Sequence, residues 1–272
     1  MNRESNGYTL VYISVMVVLV ALMLAFTSQS LRPRQLANEE IDKMKQILRS
    51  IHVDAANNEA QSKYKELIMD AFLVNHDGEK TPGDAFATDL AAELAKPETE
   101  RCFPVYVANV EGSTKYIMAM RGAGLWGPVW GYISVNDDRN TVFGADFGHA
   151  GETPGLGAEI EHIPFSRQFT GKKFFNAAGQ FVSIAVVKPG KSAAGQDYVD
   201  GISGGTITSQ GVDRMIHNSI GAYEKFLAAT TLCTSGESAV DEAFCDNEAR
   251  PVKPLEQENL EVAPDTNKGV HK

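Results

Sequence analysis

The longest apolar stretch of the chain lies near its N-terminus. Residues 8–26 are nineteen residues without a charge or a proline. As a helix with a rise of about 1.5 Å per residue, the stretch would span roughly the hydrocarbon thickness of a bilayer. A cleaved signal peptide would have a shorter apolar region followed by a small-residue cleavage site, and no Ala-x-Ala follows here. The pattern predicts a retained transmembrane helix over residues 8–26, after a tail of residues 1–7.

Apolar residues recur with helical spacing in the segment that follows, residues 27–97. The spacing predicts a helix over residues 36–51 and a short helix within residues 84–96 that ends before Pro97. Between them, a second helical pattern is carried by Tyr64, Leu67, Ile68, Ala71 and Phe72. We therefore expect a helical segment between the membrane helix and the main domain.

The pattern changes to short strands over residues 98–229. Two hairpins are predicted, in residues 102–122 around Glu111 and Gly112, and in residues 129–148 around the turn NDDRN. A third pair is predicted in residues 172–187 around Gly179. A last helix presents one apolar face: Val212, Met215, Ile216, Ile220, Tyr223, Phe226 and Leu227. The predicted fold class is α+β, an antiparallel-hairpin domain with flanking helices after one transmembrane helix.

Composition narrows the possible functions. The net charge of −10 argues against nucleic acid as a partner, because a nucleic-acid backbone requires a basic surface. Three cysteines form no CxxC motif, and no two of the six histidines stand three or four residues apart. No metal site held by the protein is therefore expected. Residues 230–272 are polar and proline-containing, which predicts a mobile tail.

Residues 200–209, DGISGGTITS, form a glycine-rich and hydroxyl-rich elbow before the last helix. A purely structural interpretation is a turn in which Thr208 or Ser209 caps the helix. A functional interpretation is that the helix N-terminus attracts a phosphate, which glycines allow to approach the backbone. The spacing fits neither a P-loop nor a Rossmann GxGxxG motif.

Two further segments contain clustered glycines or tryptophans. Residues 149–160, HAGETPGLGAEI, form a second glycine-dense loop that is either a long surface loop or part of a site. Residues 122–132, GAGLWGPVWGY, contain both tryptophans of the chain. Core packing is favoured for Trp130, which lies on a predicted strand, whereas Trp126 lies in a loop and could border a flat ligand.

These motifs carry a resemblance to a known family. DGISGGT is similar to the S-G-A-T flavinylation motif, in which the threonine carries FMN, and GETPGLG is similar to the companion loop of the same FMN-binding domain. With GLWGPVWGY and the N-terminal helix, the chain as far as about Ala229 resembles the C subunit of the Na+-translocating NADH:quinone reductase. The nearest alternative, the G subunit of the Rnf complex, shares both loops but lacks a segment comparable to LWGPVWGY. Gly205 departs from the family motif, which usually has alanine there.

The resemblance assigns roles to the residues of both loops. It implies that Thr206 carries one covalent FMN through a phosphoester bond. A separate FMN transferase that reads Asp200 would attach it, because a threonine hydroxyl without a base or metal is a poor nucleophile. The residues implied around the phosphate are Ser203, Gly204, Gly205, Ile207 and Thr208. Those implied against the ring system are Glu152, Thr153, Gly155, Leu156, Gly157 and Trp126.

The resemblance also implies a function. The chain would relay electrons as one subunit of a multi-subunit NADH:quinone (ubiquinone) reductase, with no catalytic residue and no stand-alone catalysis of its own. NADH and iron–sulfur clusters would be bound by other subunits. The alternative is an anchored flavin-binding module outside such a complex.

Two arguments predict opposite orientations of the chain in the membrane. Arg3 precedes the membrane helix, whereas Arg32, Arg34, Lys43 and Lys45 follow it, and the positive-inside rule would place the domain in the cytoplasm. The family instead places residues 1–7 in the cytoplasm and the FMN domain in the periplasm, across the bacterial inner membrane. We follow the family, because the charge rule is statistical and the other subunits are able to hold a helix against it.

A periplasmic location would permit a disulfide in the tail. Cys233 and Cys245 enclose a loop of eleven residues, and oxidising compartments allow such a bond to persist. Closing so short a loop would stabilise the tail by about 3 kcal/mol at most. Cys102 is expected to remain a buried thiol.

Overall fold

The first element of the protein is one long helix. The computed structural model describes residues 6–234, and α1 (Asn6–Ser50) runs without a break through the predicted membrane segment and the predicted helix over residues 36–51. Pro33 lies within it, where the missing N–H removes one helical hydrogen bond. An 18-residue window of α1 has a mean hydropathy of 2.7 and is entirely exposed, so α1 is long and apolar enough to cross a membrane.

Within residues 6–234, the main sheet has six antiparallel strands in the order β2-β1-β3-β4-β5-β6. The strands are β1 (Ile68–Val74), β2 (Lys80–Thr81), β3 (Phe103–Val110), β4 (Ser113–Ala123), β5 (Pro128–Val135) and β6 (Val142–His149). The helices around it are α2 (Ala60–Leu67), α3 (Leu90–Ala95), α4 (Ile163–Ser166), α5 (Thr206–Gly221) and α6 (Glu224–Thr234). Short 3-10 turns span Glu98–Glu100, Gly157–Glu161 and Arg167–Phe169. The predicted α+β class and the first two hairpins, β3–β4 and β5–β6, are confirmed.

Two predicted elements were wrong. The second helical pattern ends at Leu67, and Ile68, Ala71 and Phe72 belong to β1, whose pairing with β3 overrides the local helical spacing. The third hairpin is reduced to a single bridge between Phe175 and Phe181. The chain after it forms β7 (Ile184–Val187), which pairs in parallel with β8 (Asp197–Asp200).

The predicted last helix is two helices. It is interrupted at Ala222 and Tyr223, between the end of α5 at Gly221 and the start of α6 at Glu224. The predicted apolar face is nonetheless buried along its whole length, including Tyr223 at the break. Cys102 is half-buried rather than buried. The proposed pairing of Cys233 with Cys245 lies outside the described residues.

The sheet is covered by helices on both faces. Because side chains alternate along a strand, Met118 and Met120 face α5, whereas Ile117 and Ala119 face the last turns of α1. The α1 face also receives Ile47 and Leu48, which are completely buried, and α2 packs beside it. This three-layer arrangement leaves the loops at the ends of β5, β6 and β8 to form a site.

Polar contacts fasten the end of α1 to the sheet. The Arg49 guanidinium donates to both carboxylate oxygens of Asp146 at 2.9 and 3.0 Å. The Trp130 indole Nε1–H donates to Gln46 Oε1 at 3.0 Å. Trp130 is therefore a half-buried packing residue between the sheet and α1, in the role that the sequence favoured.

Candidate functional site

The two glycine-rich loops and the tryptophan loop meet around one cavity of about 230 Å³, which we call the elbow cavity. Its lining residues come from all three segments: Leu125, Glu152, Thr153, Leu156, Gly157, Gly204, Gly205, Thr206, Ile207 and Thr208. The tertiary fold thus brings together residues that lie more than 80 positions apart in sequence. Nine of these ten residues were predicted from the sequence, the exception being Leu125.

The elbow turns the chain from β8 into the N-terminus of α5. Gly204 has a φ of +77°, the left-handed region that favours glycine, and a Cβ there would lie 2.6 Å from Leu156 Cδ2. Gly205 is the N-cap residue of α5, without a side-chain cap. The first amides of α5 have no carbonyl partner within the helix and lie at the positive end of its dipole. The elbow therefore offers an anion site on the cavity wall.

The hydroxyl groups of the elbow have different partners. Thr208 Oγ1 donates to Glu152 Oε2 at 2.6 Å, and Ser209 Oγ accepts the amide of Ile202 at 2.8 Å. Neither side chain caps the helix, so the predicted capping role was wrong, although the elbow does form a turn. Thr206 is half-buried on the cavity wall, and its hydroxyl forms no hydrogen bond with another residue in the described part of the chain.

Glu152 is almost completely buried, with 4% of its surface exposed. Besides the Thr208 hydroxyl, its carboxylate accepts the amide of Trp126 at 2.9 Å. Burial by itself would raise the pKa of Glu152, but the hydrogen bonds from Thr208 and from the amides of Trp126 and Leu125, with His149 nearby, hold that pKa below its usual value. The side chain is therefore a carboxylate.

The other predicted residues border the cavity or lie outside its lining. Trp126 is 69% exposed beside the cavity, and its backbone is held by Glu152. Ser203 and Gly155 are exposed and do not line the cavity. Asp200 is exposed at the end of β8, where its backbone exchanges hydrogen bonds with the Gln168 amide. Leu125 was missed, although an apolar residue beside Trp126 in the same loop was the available signal.

The dimensions and chemistry of the cavity fit part of a phosphorylated, flat ligand. Its volume is below the several hundred Å³ usual for sites that enclose a small molecule, so a ligand as large as FMN would extend to the surface. Large apolar side chains are exposed around it: Leu125 (48%), Trp126 (69%), Leu156 (42%) and Ile207 (50%). The N-terminus of α5 would bind the phosphate of such a ligand, and these apolar side chains would pack against its ring system.

Comparisons with known proteins match this site. Residues 124–221 match the model of the FMN-binding domain family. The matched segment contains both glycine-rich loops and Trp126. The match therefore selects FMN among flat phosphorylated ligands.

Similar whole chains share one name, the C subunit of the Na(+)-translocating NADH-quinone reductase. The curated protein of this name from Haemophilus ducreyi is 32% identical over 251 residues, which cover 84% of this chain and 97% of that protein. The one from Pasteurella multocida is also 32% identical, with 84% and 95% covered. The crystal structure of the one from Parabacteroides distasonis superposes with a TM-score of 0.69 at 63% identity, covering 72% of this chain and 96% of that one.

Proposed function

The chain belongs to the family of the C subunit of the Na+-translocating NADH-quinone reductase and has its FMN-binding domain, and we propose that it carries one FMN covalently on Thr206 and relays electrons within that oxidoreductase complex. The observation that carries the proposal is the state of the elbow hydroxyls. The hydroxyl groups of Thr208 and Ser209 form hydrogen bonds with other residues of the protein. Ser203 does not line the cavity. Thr206 is the hydroxyl of the elbow that both faces the cavity and has no partner among residues 6–234.

Different residues around the cavity would bind the phosphate and the ring system of FMN. The N-terminal amides of α5 and the approach allowed by Gly204 and Gly205 would hold the phosphate. The apolar side chains of Leu125, Leu156 and Ile207 would exclude water from the ring system. FMN, when bound, supplies the one- and two-electron chemistry, and the protein determines its position and exposure.

A covalent link suits a site that encloses only part of its ligand. Tethering raises the local concentration of a ligand to about the millimolar range, so weak contacts along the apolar rim suffice. The bond would form between Thr206 Oγ1 and the phosphorus of FMN in an activated flavin donor. The phosphoanhydride bond of that donor would break, its other phosphate half would depart as the leaving group, and the hydroxyl would give up its proton. No titratable side chain of residues 6–234 forms a hydrogen bond with the Thr206 hydroxyl, which supports attachment by a separate transferase that recognises the exposed Asp200.

We further propose that α1 anchors the chain once in the bacterial inner membrane, with the FMN domain in the periplasm beside the other subunits. The support is the exposed apolar window of α1 and the resemblance to the family, against the charge count. A reporter enzyme active only in the periplasm should work when fused after Phe226. Activity of a cytoplasmic reporter at the same position would reverse the orientation.

The test of attachment uses the native protein purified from membranes, denatured and examined for flavin fluorescence in a gel. Wild type and Thr208→Val should fluoresce, whereas Thr206→Val should fold and remain dark. Fluorescence of the Thr206 variant together with a dark Thr208 variant would show that the wrong threonine was chosen. Co-purification of other reductase subunits with the wild-type chain tests the relay, and a chain that always purifies alone would favour a separate flavin module.

A further inference from the structure

The Glu152 carboxylate joins the segments that form the elbow cavity. Its Oε1 accepts the amide of Trp126 in the tryptophan loop, and its Oε2 accepts the hydroxyl of Thr208 in the first turn of α5. Its own amide donates to His149 Nδ1 at 3.2 Å, which ties its loop to the end of β6. The side chain thus connects two segments that are distant from it in sequence, and its backbone amide fixes its own loop to the preceding strand.

Two glycines leave room for this carboxylate and for little else. A Cβ at Gly124 would lie 2.4 Å from Glu152 Oε1. A Cβ at Gly157 would lie 2.4 Å from Thr208 Oγ1 and 2.6 Å from Glu152 Oε2. The backbone of both loops therefore closes around the pair formed by Glu152 and Thr208, as expected of a built connection rather than a chance contact.

The carboxylate oxygens are directed at protein donors. Glu152 is buried and ionised, and it lies against the first turn of α5, where the helix dipole favours a negative charge. Hydrogen bonds to a charged acceptor are stronger than neutral ones. The sequence suggested that Glu152 lies against the ring system of the cofactor, but its polar atoms are already used by Thr208 and by the backbone of the tryptophan loop.

We propose that Glu152 is a positioning residue for the flavin site. It holds the tryptophan loop, residues 124–127, against the start of α5, so that Trp126 and Thr206 keep a fixed separation on either side of the cavity. The inference rests on the proposed function, because it assumes a flavin attached at Thr206. It differs from a purely structural role, in which loss of Glu152 would lower stability and leave the flavin environment unchanged once the protein is folded.

The experiment compares full-length Glu152→Ala and Glu152→Gln in two backgrounds. In the Thr206→Val background no flavin is expected, and hydrogen exchange at Leu125 and Trp126 reports the position of the loop alone. In the flavin-carrying background, iodide quenching reports how accessible the flavin is, and fluorescence after denaturation reports whether it is attached. Glutamine keeps an acceptor oxygen, so it serves as the conservative variant.

We expect Glu152→Ala to accelerate exchange at Trp126 by roughly tenfold or more, the factor expected for losing a hydrogen bond to a charged group. The attached flavin should become more accessible to iodide, while its fluorescence after denaturation persists. Glu152→Gln should restore most of the protection of the Trp126 amide. Thr208→Val should leave that amide protected and raise the accessibility of the flavin less than Glu152→Ala does.

Unchanged iodide accessibility in folded Glu152→Ala, or unchanged exchange at Trp126, would overturn the proposal. If Glu152→Ala does not fold, the test becomes a comparison of Glu152→Gln, Thr208→Val and the variant with both substitutions. If the two residues act through one connection, the effects of the single substitutions on flavin accessibility should not add up in the double variant. Additive effects would overturn the proposal. A wild-type protein without flavin would instead refute the proposed function, and the exchange measurements would still decide whether Glu152 positions the loop.

Discussion

Two cavities of the described residues differ in size and lining, and the smaller one is the candidate site. The elbow cavity is about 230 Å³, whereas a cavity of about 430 Å³ lies under the last turns of α1. We call the larger one the anchor cavity. Its lining is polar and charged: Gln46, Arg49, Asp54, Trp130, Phe147, Gly148, His149, Glu161 and His162. Of these two, volume alone would select the anchor cavity rather than the candidate site.

The two cavities differ in how their polar groups are satisfied. At the anchor cavity, Arg49 is bound by Asp146, Trp130 by Gln46, and His149 Nε2 lies 3.5 Å from Glu161. The Arg49 and Trp130 contacts hold α1 on the sheet, whereas the buried His149 Nε2 has no hydrogen-bond partner among the described residues. At the elbow cavity, a helix N-terminus and the Thr206 hydroxyl have no such partners among the described residues. The elbow cavity therefore differs from the anchor cavity in presenting a helix N-terminus, which attracts an anion, rather than in having the larger volume.

Two buried carboxylates, Asp146 near the anchor cavity and Glu152 at the elbow cavity, have pKa values shifted in opposite directions. Burial raises the pKa of Asp146, and the pairing with Arg49 only partly opposes it. At Glu152, hydrogen bonds outweigh burial and lower the pKa. Asp146 is the ion-pair partner of Arg49, whereas Glu152 accepts hydrogen bonds from Trp126 and Thr208. Substitutions can therefore separate the two roles.

The largest expected effect is at the anchor cavity. Arg49→Met leaves Asp146 buried without its partner, and loss of a buried pair commonly costs about 3–5 kcal/mol. Since the Arg49 side chain is 38% exposed, solvent should reduce this to about 2 kcal/mol. Urea unfolding measures it, with exposed Arg34→Met as the control. Attached flavin should be retained, and its loss would show that the anchor cavity belongs to the cofactor site.

A glycine substitution should have the next largest effect, this time at the elbow cavity. Gly157→Ala places a methyl group against Thr208 and Glu152, and such overpacking typically costs about 1–3 kcal/mol. Gly151→Ala, in the same loop, meets nothing within 4 Å and serves as the control. Thermal unfolding and flavin fluorescence should both change for Gly157→Ala only. Equal behaviour of the two variants would mean that the loops are not packed as described.

The pH dependence of stability should distinguish the two carboxylates. The folded-state pKa of Glu152 is lowered, so its contribution is present above the usual value of 4.5 and is lost as pH falls through the folded value. The folded-state pKa of Asp146 is raised, so its contribution is present below 3.8 and is lost as pH rises through the folded value.

Urea unfolding between about pH 3 and pH 6 should therefore give opposite trends. The stability difference between wild type and Glu152→Gln should grow as pH rises, and that between wild type and Asp146→Asn should shrink. Each slope is at most about 1.4 kcal/mol per pH unit. Parallel trends for the two variants would contradict the contrast between the cavities.

The smallest effect on stability is expected from Trp126→Ala. Because Trp126 is 69% exposed, the free energy of unfolding should change by less than about 0.5 kcal/mol. The flavin should remain attached, but its visible spectrum or midpoint potential should change, since an aromatic neighbour is lost. Trp130→Phe should do the reverse, costing about 1 kcal/mol through the lost bond to Gln46 without altering the spectrum. An unaltered spectrum in Trp126→Ala would class Trp126 as a surface residue.

Local patterns predicted the parts of the fold whose partners are close in sequence. The long apolar N-terminal helix, the β3–β4 and β5–β6 hairpins and the buried face of α5 and α6 follow from periodicity and turns. The strand at Ile68–Val74 was missed because its pairing partner, β3, lies about thirty residues away. The parallel pair β7–β8 was missed although its partners lie only 13 positions apart, because Ile184–Val187 was assigned to the third predicted hairpin.

The lining of the elbow cavity was largely predictable because its motifs are glycine-rich and resemble a known family. The partners of individual side chains were not. Nothing local indicates that Thr208 donates to a carboxylate 56 positions earlier, or that this carboxylate also receives the Trp126 amide. These contacts depend on how β6 and α5 meet, and they changed Glu152 from an expected ring contact into a positioning residue.

The central claim is that FMN is bonded to Thr206, and the most direct test is to map the flavin on the native protein. Trypsin should release residues 192–214, a peptide that contains Ser192, Ser203, Thr206, Thr208 and Ser209. Mass spectrometry with fragmentation should find one FMN on this peptide, located on Thr206. An unmodified peptide, or FMN located on Ser192, Ser203, Thr208 or Ser209, would contradict the account.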